Sequence, residues 1–169
     1  AFKELVERLA AGEDTTNIPG IWARVGDRVY RNERPPVLKF ADLPLPPYHL
    51  VDISRYTYKH LGLRTLDYLS SRGCPCKCYY CYNNVFFHSQ WNARPADLVL
   101  KEIAELRSRY EFDSLYLLDD NFFIDKQRAW AIIRGLKEMG LSYELQGVDI
   151  QTIYRMSLEE VDELEESGL

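Results

Sequence analysis

A chain of 169 residues with 46% hydrophobic and 13% aromatic residues has the apolar content of one folded domain, or of one domain and a piece of another, which excludes a disordered segment. The formal net charge of -5 comes with Lys and Arg scattered along the chain, so there is no basic stripe for a phosphate backbone and nucleic acid is not an expected partner. No apolar run approaches the roughly 20 residues of a membrane span, and the start Ala1-Phe2-Lys3-Glu4-Leu5 lacks the layout of a signal peptide; a cytoplasmic protein without a membrane segment is expected.

Phe2, Leu5, Val6 and Leu9 fall at i, i+3, i+4 and i+7 and predict a helix at the very start, without a cap, as in the tail of a preceding element. Ile21-Trp22-Ala23-Arg24-Val25 and Arg28-Val29-Tyr30-Arg31 flank Gly26-Asp27, the pattern of a β-hairpin whose glycine supplies a positive φ. Pro35, Pro36, Pro44, Pro46 and Pro47 then make residues 35–48 an ordered linker, because proline removes backbone donors and favours extended chain.

From Thr65 onward a strand–loop–helix pattern repeats three times, with strands expected at 66–70, 115–118 and 143–148. Pro95 suits the first turn of a helix carrying Val99, Ile103, Leu106 and Tyr110 on one face. Asp125 is a good N-cap for a second helix, with Ala129, Ile132, Ile133 and Leu136 inside and Gly140 at its end. Ser157 and Glu160 form a capping box for a third, whose Leu158, Val161 and Leu164 face inward and whose Glu159, Asp162, Glu163, Glu165 and Glu166 are expected in solvent. Alternation of this kind implies an α/β fold of parallel strands with crossover helices.

All four cysteines lie between positions 74 and 81, too close together for a disulfide framework, and point to metal. The run Ser71-Arg72-Gly73-Cys74-Pro75-Cys76-Lys77-Cys78-Tyr79-Tyr80-Cys81 follows the first strand of the repeat directly. It therefore sits at the carboxyl end of a parallel strand, where such folds place their chemistry. Cys74, Cys78 and Cys81 are spaced C-x3-C-x2-C, so a short loop can wrap a cubane cluster and bind three irons, leaving the fourth open for a cofactor or substrate. A four-cysteine zinc site that includes Cys76, or three cysteines with His88, is the alternative; structural zinc usually pairs two knuckles across a longer span, and Cys76 reads better as a spare small residue. Phe86, Phe87 and Trp91 read as packing, with any exposed subset available to a substrate pocket.

With aromatic Tyr80 just before the last cysteine, the loop resembles that of the radical S-adenosylmethionine superfamily. The resemblance implies a [4Fe–4S] cluster on Cys74, Cys78 and Cys81, with S-adenosylmethionine chelating the open iron through its amino and carboxylate groups. It also implies an external flavodoxin- or ferredoxin-like electron donor and cleavage of the cofactor to methionine and a 5′-deoxyadenosyl radical. By the same resemblance Tyr80 lies against the adenine, and Asp119, Asp120 and Asn121 meet the methionyl amino group through side chains or carbonyls, where the superfamily commonly has glycine-glycine-glutamate. Gln146, with Asp149, points to the same rim and is a further cofactor-binding candidate, the other reading being satisfied polar groups at a strand end. Asp119 and Asp120 also suit an acid/base pair or magnesium ligands, readings ranked lower because no phosphate-cradling glycine loop accompanies them.

Ser71-Arg72-Gly73-Cys74-Pro75, Cys81-Tyr82-Asn83, Leu118-Asp119-Asp120-Asn121-Phe122 and Asp42-Leu43-Pro44-Leu45-Pro46-Pro47-Tyr48 are together similar to the cobalamin-associated subgroup, which holds methyltransferases and an anaerobic cyclase. The expected organisation is then residues 1–64 as the tail of an upstream cobalamin-binding-type domain, hairpin and linker. Residues 65–169 become the amino-terminal half of a TIM-like barrel, three βα units where a full barrel needs roughly 200 residues or more. The expected activity is radical S-adenosylmethionine chemistry on a small-molecule or natural-product substrate, first methyl transfer assisted by cobalamin bound by a domain outside this chain. A radical cyclase or oxidoreductase is the alternative within the superfamily, and a non-catalytic zinc-binding module the alternative outside it. No catalytic residue is expected beyond the cluster ligands.

Overall fold

A computed structural model describes residues 1–35, 38–60 and 63–169. Pro36 of the proline-rich linker lies outside the described residues. The chain divides into two compact units, Ala1–Leu38 and Lys39–Leu169.

In the first unit the expected helix forms as α1 (Phe2–Ala11) and ends where Gly12 takes a left-handed φ of 68°. Strands β1 (Trp22–Val25) and β2 (Arg28–Arg31) pair antiparallel with Val25 opposite Arg28, so Gly26-Asp27 is a two-residue turn with Gly26 at φ 59°. Asn32 Nδ2 donates to the Thr16 and Ile21 carbonyls, at 2.8 Å each, and ties the hairpin back to the chain that follows α1.

The second unit begins with the proline-rich segment, which has short turns of 3-10 helix at Phe40–Asp42, Tyr48–Leu50 and Ile53–Arg55. Phe40 and Ile53 are buried, and Leu45 and Tyr48 pack against the core. Strand β3 (Tyr58–His60) runs antiparallel to β4 (Leu63–Tyr68). The chain then makes a long excursion between β5 (Ser71–Arg72) and β6 (Asn92–Ala93), which pair antiparallel around the cysteine loop and the single-turn helix α2 (Asn83–Phe86). Helix α3 (Ala96–Arg109) leads to β7 (Ser114–Leu117), and α4 (Lys126–Glu138) to β8 (Ser142–Leu145). Both strands are parallel to β4, in the sheet order β3-β4-β7-β8. Two helices close the chain, α5 (Ile150–Tyr154) and α6 (Leu158–Glu166).

Register explains the core. Leu66, Leu115 and Tyr143 lie side by side across β4, β7 and β8, as do Tyr68, Leu117 and Leu145 one pleat on. This face meets Val99, Ile103 and Leu106 of α3 and Ala129, Ile132, Ile133 and Leu136 of α4, all buried. The opposite face carries the row Asp67, Tyr116, Glu144. Tyr58 Oη donates to Asp67 at 3.0 Å, and His60 Nε2 lies 2.7 Å from Glu144 Oε2 without hydrogen-bond alignment. His60 and Glu144 belong to the two edge strands, whose backbones a flat sheet would hold about 14 Å apart. Their contact means that the sheet curls toward its polar face. The result is a mixed α/β domain with an open, curled sheet.

A buried ion pair fastens the proline-rich segment to this core. Arg94 pairs with Glu102 of α3, which also accepts from Tyr68 Oη at 2.5 Å. The same guanidinium donates to the Leu43 carbonyl at 3.2 Å and stacks 4.7 Å from the centre of the Phe40 ring.

Several expectations shift. The expected strand at 66–70 starts at Leu63 and ends at Tyr68, and that at 143–148 ends at Leu145, because the chain leaves the ladder to form the rim described below. Asp125 and the Ser157–Glu160 capping box cap α4 and α6 as expected. Leu164 is buried, but Leu158 is 80% exposed and Val161 45%, so only the carboxyl half of α6 reaches the core. Nor is the acidic face of α6 wholly solvated: Glu160, Glu163 and Glu166, three residues apart on one face, meet Lys126, Arg134 and Lys137 of α4 at 2.5, 2.6 and 3.4 Å.

Candidate active site at the carboxyl ends of the parallel strands

Beyond their last ladder residues, β4, β7 and β8 deliver three segments to one end of the sheet: 69–73, 118–121 and 146–149. Their polar groups have left the ladder and need other partners. Asp119 supplies them for the first segment. Its fully buried carboxylate accepts from Ser70 N at 3.1 Å, Ser70 Oγ at 2.7 Å and Ser71 Oγ. Burial pushes this carboxyl above the usual range, against the pull of the Ser71 and Ser70 hydrogen bonds and the Arg128 charge. Arg128, itself buried on α4, donates to Ser70 Oγ at 2.7 Å, Ser70 O at 2.9 Å and Arg94 O at 2.6 Å.

Asp120 closes the cysteine loop. Its Oδ2 accepts from Gly73 N at 2.7 Å, just before Cys74, while Oδ1 accepts from Tyr82 Oη and, at 3.2 Å, from Asn83 Nδ2, just after Cys81. One carboxylate thus joins both ends of the loop. The hydrogen bond to Asp120, aided by burial, pushes the Tyr82 hydroxyl up to about 12. Gly73 has a φ of 77°, and a Cβ there would overlap the Gln90 carbonyl, so the loop enters through a position open only to glycine. Gly147 is needed for another reason: a Cβ on it would overlap the carbonyls of Asp119 and Asp120, against which its backbone runs.

The two asparagines flanking the loop are almost wholly buried, Asn83 at 2% exposure and Asn121 at 1%. Asn83 Nδ2 lies 3.5 Å from Cys81 Sγ, and Asn121 Nδ2 lies 3.6 Å from Cys74 Sγ and 3.0 Å from Asp149 Oδ2. Asp149 caps α5 by accepting from Gln151 N and Thr152 N, and it also accepts from Thr152 Oγ1 at 2.7 Å. Burial opposes the Asp149 carboxylate, but its bonds from Thr152, Asn121 and Gln151 prevail and hold it below the usual range.

All four cysteines are free; Cys74 is buried, Cys76 and Cys81 half-buried, and Cys78 exposed. Burial, then a hydrogen bond with Cys74, pushes the Cys76 thiol up to about 11. The Cys78 carbonyl accepts from Cys81 N at 3.0 Å and Asn84 Nδ2 at 2.7 Å, forming the turn that separates the last two cysteines. Among the described residues no three His, Cys, Asp or Glu side chains converge into a ready-made metal site. By donor chemistry the loop nevertheless fits an iron–sulfur cluster: soft thiols in a short loop, carboxamide N–H groups against two of them, and a buried Oδ1 without partner on both Asn83 and Asn121.

Of the residues singled out from sequence, Cys74, Asp119, Asp120 and Asn121 come together at this rim, with Cys81 joined through Asn83. Tyr80 is 91% exposed and Gln146 is exposed, its backbone N–H bonded to Leu117 O at 3.0 Å. Among the described residues the side chains of these two make no hydrogen bond. Asn83 and Arg128 carry much of the geometry and were not singled out as site residues. Arg128 had left a signal, since it shares a helix face with Ile132 and Leu136 and a charge on an apolar stripe needs a buried partner.

These features define an α/β domain that carries its cysteine loop at the carboxyl ends of its parallel strands. No family model matches the chain. It is 32% identical over 142 residues to an uncharacterised methyltransferase of Pyrococcus horikoshii, covering 83% of this chain and 30% of that protein. It is 30% identical over 134 residues to the cytidylyl-2-hydroxyethylphosphonate methyltransferase of Streptomyces wedmorensis (75% and 24%). To the anaerobic magnesium-protoporphyrin IX monomethyl ester cyclase of Synechocystis sp. it is 26% identical over 123 residues (73% and 24%). In fold it is similar to the radical S-adenosylmethionine methyltransferase TsrM of Kitasatospora setae, with a TM-score of 0.66 and 17% identity over 99% of this chain and 34% of that one. TsrM has been solved with tryptophan substrate and a cofactor analogue, and with cobalamin and a [4Fe–4S] cluster. The chain thus spans about a third or less of these proteins. By sequence the chain is related to methyltransferases and a cyclase, and it shares the fold of a radical S-adenosylmethionine methyltransferase.

Proposed function

We propose that the whole protein is a radical S-adenosylmethionine enzyme that transfers a methyl group to a small-molecule substrate with the help of cobalamin. The observation that carries this reading is the cysteine loop, clasped at both ends by Asp120 and flanked at two sulfurs by buried carboxamides. Cys74, Cys78 and Cys81 would hold a [4Fe–4S] cluster, and Cys76, which falls outside their C-x3-C-x2-C spacing, would stay outside the ligand set. When bound, the cluster and S-adenosylmethionine supply one-electron cleavage of a sulfur–carbon bond and an adenosyl radical.

The chain's own residues prepare the place for that chemistry. Asp119 holds the end of β4 against the end of β7, and Arg128 ties the same end to α4. The backbone of 119–121, packed against Gly147, offers its carbonyls to the methionyl amino group, while exposed Tyr80 is free to cover the adenine and Gln146 to reach the cofactor from β8. Residues 65–169 would form the first half of a TIM-like barrel, with Asp67, Tyr116 and Glu144 lining its interior. Residues 1–64 would connect it to a cobalamin-binding domain. A flavodoxin- or ferredoxin-like partner would deliver the electron in the cytoplasm. The similarity to the Synechocystis cyclase supports a second reading, radical cyclisation by the same site.

Anaerobic reconstitution tests the proposal. About four irons and four sulfides per chain are expected, lost in Cys74→Ala, Cys78→Ala and Cys81→Ala and kept in Cys76→Ala. Under a strong reductant the full protein should release 5′-deoxyadenosine from S-adenosylmethionine, and Cys78→Ala should not. Stoichiometric zinc without sulfide would replace the proposal with a zinc-binding module. Methylated product formed without cobalamin would remove cobalamin from it.

A further inference from the structure

We infer that Asn83 and Asn121 are positioning residues that set the reduction potential of the cluster by donating hydrogen bonds to two of its cysteine ligands. The inference rests on the cluster reading above. Both carboxamides follow one plan: each nitrogen bridges a cysteine sulfur and a carboxylate. Asn83 Nδ2 sits 3.5 Å from Cys81 Sγ and 3.2 Å from Asp120 Oδ1. Asn121 Nδ2 sits 3.6 Å from Cys74 Sγ and 3.0 Å from Asp149 Oδ2. These distances are ordinary for N–H···S contacts and leave the cysteine sulfur as acceptor.

The carboxylates decide which way the amides face. An amide can be turned over with little change in shape, exchanging its oxygen for its nitrogen. In the turned-over form Oδ1 would face Asp120 or Asp149, acceptor against acceptor, so the nitrogen is held toward both the carboxylate and the sulfur. Meanwhile Oδ1 of both residues is buried without a partner. Burying an amide oxygen without a partner is unfavourable, a cost that a purely space-filling Leu at either position would avoid. The retained amides fit a role at the sulfurs. Hydrogen bonds to cluster sulfurs draw charge from the thiolates and favour the reduced cluster, one of the protein's principal controls on potential.

The experiment uses the full-length protein with its cluster reconstituted, and iron and sulfide are measured first. Absence of a cluster in the wild type overturns the parent reading and this inference with it. With the cluster in place, redox titration followed by electron paramagnetic resonance compares wild type with Asn83→Leu, Asn121→Leu and the double variant. Each single substitution should lower the reduced-to-oxidised ratio several-fold at fixed potential, and the double by tenfold or more, equivalent to about 59 mV toward negative values for one electron. A shape role alone would leave the potential of every cluster-bearing variant at the wild-type value, and that result overturns the inference. Where a variant keeps no cluster, pulsed resonance on reduced wild type with 15N-labelled asparagine decides instead. Couplings from asparagine nitrogen and from its exchangeable protons are expected, and their absence overturns the inference.

Discussion

The two faces of order in the second unit rest on different forces. Beneath the sheet, α3 and α4 are held by interlocking aliphatic side chains, Val99, Ile103, Leu106, Ile132, Ile133 and Leu136 against Leu115 and Leu117. At the carboxyl ends of the strands, little apolar surface is available to the loop, whose Tyr79 and Tyr80 are almost wholly exposed, and carboxylates take over. Asp119 gathers Ser70 and Ser71, Asp120 gathers Gly73, Tyr82 and Asn83, and Asp149 gathers Asn121 and the first turn of α5. Apolar packing depends on volume and tolerates isosteric exchange. An acceptor network depends on individual atoms and does not. The rim is therefore the place where a substitution that preserves shape does the most damage.

The sharpest break in that contrast is Asp119→Ala. It leaves the buried Ser70 and Ser71 donors without their acceptor, and a buried polar group left unpaired costs about 1–3 kcal/mol each. Denaturant unfolding should show that loss, while Leu117→Met, a change of shape within the core, should cost under about 1.5 kcal/mol. If Leu117→Met proved the costlier change, the rim would not be the more exacting region. Asp120→Ala is expected to act locally. Three donors lose their acceptor, at about 1 kcal/mol each by the usual net worth of a hydrogen bond, so amide exchange over 73–84 should accelerate strongly with the global unfolding midpoint almost unmoved. Asp120→Asn should fall between, since it keeps one acceptor oxygen and cannot accept at both.

The same contrast accounts for what the sequence made legible. Periodicity reveals apolar faces, so α3, α4 and the three parallel strands were visible in Val99, Ile103, Leu106, Ile132, Ile133 and Leu136, and caps such as Asp125 and Ser157 marked helix starts. The spacing of Cys74, Cys78 and Cys81 marked the loop because ligand spacing is local. The strands end one to three residues before the expected positions because pairing stops where Asp119 and Asp120 recruit the chain, a long-range event without a local signature. The antiparallel edge strand β3 was missed for a similar reason: Tyr58-Lys59-His60 is exposed throughout and its pairing comes from its neighbour, not its own pattern. Asn83 has no local signature, because its two partners, Asp120 and the Cys81 sulfur, meet on its amide nitrogen only in the folded chain.

The smallest effect is expected at the contact between α4 and α6, where charge rather than burial again holds an element, but in solvent. Glu163 is held below the ordinary glutamate value of 4.5 by its hydrogen bond to Arg134, and Glu160 by its hydrogen bond to Lys126 and then by the Ser157 backbone N–H of the capping box. Carboxyls with depressed values favour the folded state when ionised. Their contribution is complete above pH 4.5 and is lost as the pH falls through the lower values of the folded protein. Acidification from pH 5 downward should thus loosen α6 before α4, since only Leu164 among the residues of α6 is buried while α4 keeps its aliphatic face. Hydrogen exchange followed helix by helix would detect this, and Arg134→Ala should remove much of the pH dependence in α6 while leaving α4 unchanged. Because the charges are exposed, added salt at neutral pH should weaken the same contact by screening. If α6 exchange were indifferent to both pH and salt, Leu164 and the capping box alone would hold the helix, and the ladder of three pairs would be a surface coincidence.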